Sequence, residues 1–155
     1  MTPLEQLAQA DAARYMKGPS VTHTHPKDMT EEETRAYLGL RAAQALAHGT
    51  ATRSGWYADP VTGKPVVRNF GEVVALMHSE LSEALEADRK GLMDDKLPHR
   101  DGREVEFADL LLRVLDTAAA LGLDIAGAYI EKNRFNGTRA DHTLEARASE
   151  GGKKY

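Results

Sequence analysis

Residues 69–122 contain two long runs with helical periodicity, separated by a short polar break, and this pairing limits the folds open to the chain. Asn69 stands as an N-cap before "FGEVVALMHSELSEALEADRKG", where Val73, Val74, Met77, Leu81 and Leu85 recur at helical spacing and Gly91 supplies the stop. "LMDDKLPHRDGRE" follows as a polar loop. "VEFADLLLRVLDTAAALG" then repeats the pattern, with Phe107, Leu110, Leu111 and Val114 as its apolar face and Gly122 at its end. Two amphipathic helices joined by a short loop bury their stripes by packing antiparallel.

The flanking segments extend the helical reading. Thr2 and Pro3 open a helix over "TPLEQLAQADAARYMKG", closed by Gly18. Thr30 and Glu33 form a capping box that opens a helix with Tyr37, Leu38, Leu40, Ala43 and Leu46 on one side, stopped by Gly49. Residues 50–68 are irregular, with "VTGKPVV" as a short hairpin. Asp124 caps a last helix over "IAGAYIEKNRFNG", and residues 140–155 read as a loose tail. The expectation is an all-α bundle in one domain over 1–155, with a core at about 55–139 and an N-terminal helical extension over 1–50.

Composition narrows the class. A net charge of −4 offers no broad basic field for a nucleic-acid backbone. The absence of cysteine excludes disulfides and thiolate metal sites. "MTPLEQLAQADAARY" lacks the apolar run of a secretory signal, and no segment approaches the ~20 apolar residues of a membrane span. The reading is a cytoplasmic protein with neither nucleic acid nor membrane as partner.

The carboxylates are the unusual feature. Glu80 and Glu83 lie three apart beside the first apolar stripe, and Glu106 and Asp109 repeat that spacing beside the second. Antiparallel pairing of the helices brings both pairs towards one point. Like charges 4 Å apart repel by about 4 kcal/mol at an effective dielectric near 20, and a divalent cation removes that repulsion. Further on, Lys132 and Asn136 share a helical face and Arg139 follows Gly137. A cation, an amide and a guanidinium beside carboxylates suit a phosphorylated ligand.

These residues in this order, from "NFGEVVALMHSELSEALEADRKG" to "KNRFNGTR", resemble the MazG-like all-α nucleoside triphosphate pyrophosphohydrolases, in particular their small phage and bacterial members. The resemblance covers about residues 55–139. It implies an oligomer, tetramer or dimer, that cleaves a (d)NTP with water to (d)NMP and pyrophosphate. It further implies Mg2+, with Mn2+ as a substitute, on Glu80, Glu83, Glu106 and Asp109. Lys132, Asn136 and Arg139 would hold phosphates, and Trp56, the single Trp, would stack on the base. dGTP or GTP is the leading substrate. The alternatives are dUTP, dCTP or phosphoribosyl-ATP and, from another class, a non-catalytic helical interaction module. His23 and His25 in "THTHP" lack a third ligand nearby and do not read as a zinc site.

Overall fold

The computed structural model describes residues 27–153. The helix expected over residues 2–18, together with His23 and His25, lies outside these residues. Four main helices follow in order: α1 Glu31–Arg53, α2 Phe70–Lys90, α3 Gly102–Ala120 and α4 Ile125–Gly137. A 3-10 turn at Ala140–His142 and the short α5, Leu144–Ala148, complete the chain. Among the described residues there are no strands, only isolated bridges at Ala58–Pro65 and Met93–Asp101. No described helix is long and apolar enough to cross a membrane.

Local hydrogen bonding sets the helix ends. Glu33 Oε2 accepts from the Thr30 amide at 2.8 Å and Thr30 Oγ1 accepts from the Glu33 amide at 3.2 Å, closing the expected capping box. Asn69 Oδ1 accepts from the Glu72 amide at 3.1 Å, and Asp124 Oδ1 from the Gly127 amide at 3.0 Å. Helix α1 does not stop at Gly49 but continues to Arg53. Its stop is Gly55, at φ 83°, which lets the Gly55 amide reach Thr52 O and the Trp56 amide reach Ala51 O, both at 3.1 Å. A glycine inside a helix costs only about 1 kcal/mol, whereas this paired closure requires the left-handed conformation that Gly55 supplies. Helix α3 likewise begins at Gly102, before Val105, because Asp101 accepts from the Arg103 amide at 2.9 Å.

The expected hairpin at "VTGKPVV" is reduced to a single antiparallel bridge around a looped turn. Asp59 Oδ1 accepts from the amides of Val61 and Thr62 and from the Thr62 hydroxyl. The Ala58–Pro65 bridge is closed by the Asp59 amide donating to Lys64 O at 2.8 Å and the Val66 amide donating to Tyr57 O at 3.0 Å, and no strand extends it.

The described residues fall into two compact units. One comprises residues 27–41 and 124–153. Its core is Tyr37, Ala126 and Ile130, with Met29 and Leu40 packed against it. Arg134 ties this unit together by donating to both Glu33 oxygens, at 2.7 and 2.8 Å, and to the carbonyls of Lys27 and Asp28.

The other unit, residues 42–123, is built on the α2–α3 pair, and its buried stripe differs from the expected one. Leu85 is 60% exposed, and Leu81, Phe107 and Leu111 are also exposed; the buried α2 positions are Val73, Glu80, Ala84 and Ala87. These four, with the half-buried Met77, are spaced four and three residues apart, a seam of the coiled-coil kind. Small residues select this face because they let the helices close. A Cβ placed on Gly102 would lie 2.9 Å from the Ala87 Cβ and 3.0 Å from the Leu92 carbonyl oxygen. Gly102→Ala should therefore lower stability by about 1–3 kcal/mol through overpacking, read as a lower Tm. An unchanged Tm would show that this closed end has slack.

Candidate metal centre

The centre forms where the α2–α3 seam changes from small apolar residues to charge. Glu80 occupies a seam position, not its edge, and is 5% exposed. Its Oε1 accepts from Arg113 Nε at 2.7 Å. Burying a carboxylate without a partner is strongly unfavourable, so Arg113 is the group that makes this placement tolerable.

Glu83 follows one turn after Glu80, and Glu106 comes from α3. One carboxylate oxygen of each of Glu80, Glu83 and Glu106 lies within 4.8 Å of the others. Their burial is graded: Glu80 is buried, Glu106 half-buried and Glu83 exposed. The cluster thus has a fixed inner end and an open outer one. Glu106 bears the strain of this crowding. Burial first, then the Glu83 charge, the hydrogen bond with Glu80 and the Glu80 and Asp109 charges push its carboxyl up to about 7.

Asp109, one turn on from Glu106, is not among the three clustered oxygens. Its carboxyl is also pushed upward, by burial and then by the Glu80 charge, with Arg113 opposing and Asp94 reinforcing the shift. The crowding disfavours the anionic forms of both carboxyls, and a cation would relieve it. The donors are all carboxylate oxygens, with no imidazole or thiolate among them, which is the ligand set of a hard cation. Glu80, Glu83 and Glu106 can accordingly hold a metal ion.

Lys132, Asn136 and Arg139 belong to the second unit, on and just past α4. There Lys132 Nζ sits 4.7 Å from the Phe135 ring centroid and the Arg139 guanidinium 6.0 Å from the same ring. Arg139 is already held by Asp141, donating to its two oxygens at 2.9 and 2.6 Å. Asn136 Oδ1 is buried with no hydrogen-bond partner among the described residues. Trp56 is 63% exposed, with the Arg68 guanidinium 5.9 Å from its ring.

Two partners escaped the sequence reading. Arg113 had a signal: Glu106, Asp109, Arg113 and Asp116 are spaced three, four and three, the same seam period that carries Glu80. Asp116 is buried and bonded by His48 and Tyr57, at sequence separations of 68 and 59, which no local spacing announces. Comparison with protein-family models, with curated proteins and with solved structures gave no match to this chain.

The raised Glu106 carboxyl carries a pH signature with a definite sign. Its folded value near 7 exceeds the ordinary 4.5, so its contribution to stability is complete below about pH 4.5 and is lost as pH rises through 7. In a chelating buffer, Tm should fall between pH 5 and pH 8, and Glu106→Gln should flatten that fall and raise Tm at pH 8. Equal slopes in the two proteins would refute the assignment of the strain to Glu106.

Proposed function

We propose that the chain is a Mg2+-dependent nucleoside triphosphate pyrophosphohydrolase of the MazG-like kind, converting a (d)NTP and water to (d)NMP and pyrophosphate, with dGTP or GTP as the leading substrate. The observation that carries this reading is the grouping of Glu80, Glu83 and Glu106 on an antiparallel helix pair, with Asp109 one turn away. The order of the motifs, E-x-x-E then E-x-x-D then Lys132, Asn136 and Arg139, supports it.

A bound Mg2+ or Mn2+ would neutralise phosphate charge and lower the pKa of a coordinated water. The chain's own part is positioning. Arg113 holds Glu80 through its Oε1, Glu106 would have to be ionised to help hold the cation, and Glu83 would close the outer side of the cluster. The family resemblance assigns phosphate holding to Lys132, Asn136 and Arg139, a role in which Arg139 would exchange Asp141 for a phosphate oxygen. Exposed Leu81, Leu85, Phe107, Leu111 and Leu112 support a homo-oligomer; the order tetramer before dimer, and a place in the cytoplasm, follow from the family resemblance alone.

One observation favours a second reading. The Arg113–Glu80 pair gives the cluster part of its neutralisation without a metal, as a non-catalytic helical module would require. The raised Glu106 carboxyl weighs against it, because one guanidinium leaves the remaining repulsion in place.

Pyrophosphate release should be measured on a panel of (d)NTPs with Mg2+ and with Mn2+, identifying the products. One preferred base, yielding monophosphate plus pyrophosphate, is expected. Glu83→Gln and Asp109→Asn should each reduce turnover at least 100-fold while keeping or raising Tm in chelator. Full activity in both variants would remove the metal-site assignment, and no release by folded, metal-saturated protein would leave the non-catalytic module. Light scattering at micromolar concentration should give a mass above that of one chain; a monomer would overturn the oligomeric reading.

A further inference from the structure

The 42–123 unit contains a second polar centre that takes no part in the carboxylate cluster. Asp116 is 6% exposed, and its Oδ1 accepts from the Tyr57 hydroxyl at 2.8 Å and lies 2.8 Å from His48 Nδ1. The Arg68 guanidinium stands 3.6 Å from Oδ2. Burial, then the bond to Asp116, push the Tyr57 hydroxyl up to about 12, so it remains a donor. A carboxylate only accepts, so His48 donates to Asp116 from Nδ1, which turns Nε2 away from Asp116; in the neutral ring Nε2 is an acceptor. The His48 ring is further fixed edge-on to Tyr57, with centroids 5.1 Å apart.

These groups border a cavity of about 650 Å3, within the range of small-ligand sites. His48, Tyr57 and Arg68 line it together with Phe70, Val73 and Thr117. Most of the wall is apolar, and the polar atoms are few and held by one buried carboxylate. That composition suits a flat ring with a patterned edge.

We propose that this cavity receives the base of a guanine nucleotide, with Arg68 reading O6 and N7 and Asp116 as the positioning residue for Arg68 and His48. The proposal rests on reading the chain as a nucleotide pyrophosphohydrolase and names the base it selects. Guanine presents two adjacent acceptors to a guanidinium, which can engage both. Adenine places an amino group at one of those positions and meets Arg68 donor to donor. Guanine also carries N1–H and N2–H donors for His48 Nε2, which adenine lacks at the corresponding N1 and C2. Pyrimidines bring a single ring to a cavity of this size and make fewer apolar contacts. Val73 lines the cavity and Glu80 stands two turns along the same α2 seam, a rise of about 10.5 Å. One helix therefore carries both the base-reading end and the carboxylate end of a nucleotide site.

Equilibrium dialysis with dGMP, dAMP, dCMP and dTMP in chelator separates base reading from turnover. The emission of Trp56, the single Trp, beside Arg68, offers a second readout. dGMP should bind on the order of tenfold or more tighter than dAMP. Arg68→Lys should reduce that ratio towards one, and Asp116→Asn, confirmed as folded by its thermal transition, should reduce it too. Glu83→Gln should keep it, because the phosphate end plays no part in choosing the base. Equal binding of all four nucleotides, or a dGMP preference untouched by Arg68→Lys, would overturn the proposal even in a protein that releases pyrophosphate. A guanine preference that depends on Arg68, in a protein that releases none, would uphold base reading while removing the pyrophosphohydrolase reading.

Discussion

The 42–123 unit depends on one buried charge pair, Glu80 with Arg113. Two helices that meet through alanines and a glycine come close, and a close seam leaves little room for water around a carboxylate. Glu80 is tolerated there only because Arg113 reaches it from the facing helix at 2.7 Å. Removing one partner of such a pair while leaving the other buried costs about 3–5 kcal/mol, near the lower end where, as here, the arginine is partly exposed. The pair also links α2 to α3 across the seam. The same seam brings Glu83 and Glu106 together and leaves Glu106 holding its proton to an unusually high pH. Stability and site geometry thus share one seam.

Two polar centres occupy successive stretches of that hairpin. Near its closed end and middle lie the carboxylates, where negative charge is concentrated and a cation is wanted. Towards the start of α2 and the end of α3 lies Asp116, whose negative charge is already met by His48, Tyr57 and Arg68. A crowded carboxylate group can hold a cation. A satisfied buried carboxylate is a scaffold that aims its donors elsewhere. The proposed nucleotide reading assigns the first to phosphate and metal and the second to the base.

What could be read from the sequence followed from distance along the chain. Thr30 with Glu33, Asn69, Gly91 and Asp124 act on residues within four positions, and their helix boundaries were legible. The three-residue spacing of Glu80 with Glu83 and of Glu106 with Asp109 was legible for the same reason, though Asp109 proved to stand beside the oxygen cluster instead of in it. The choice of buried stripe was not. Hydrophobicity ranks Leu81 and Leu85 above Ala84 and Ala87, whereas closing two helices selects for smallness, and Ala84 beside Leu85 gives no hint of which criterion wins. Gly49 misled because a tolerated helical glycine looks like a stop, and Gly55 did the stopping. The Asp116 centre joins segments 59 and 68 residues apart, and Arg134 reaches Glu33 across 101, so both were beyond any local pattern.

The seam also dictates where the chain can change length. An inserted or deleted residue inside α2 or α3 turns everything beyond it by about 100°, which would swing Glu80 away from Arg113 or Glu106 away from Glu83. The turn at residues 91–101 carries no such phase, because both helices are reset at its ends by Gly91 and Asp101. Relatives that keep this site can therefore differ at the tip of that turn, between the paired Asp94 and Arg100, but between Val73 and Ala87, and between Gly102 and Asp116, their helices must match residue for residue.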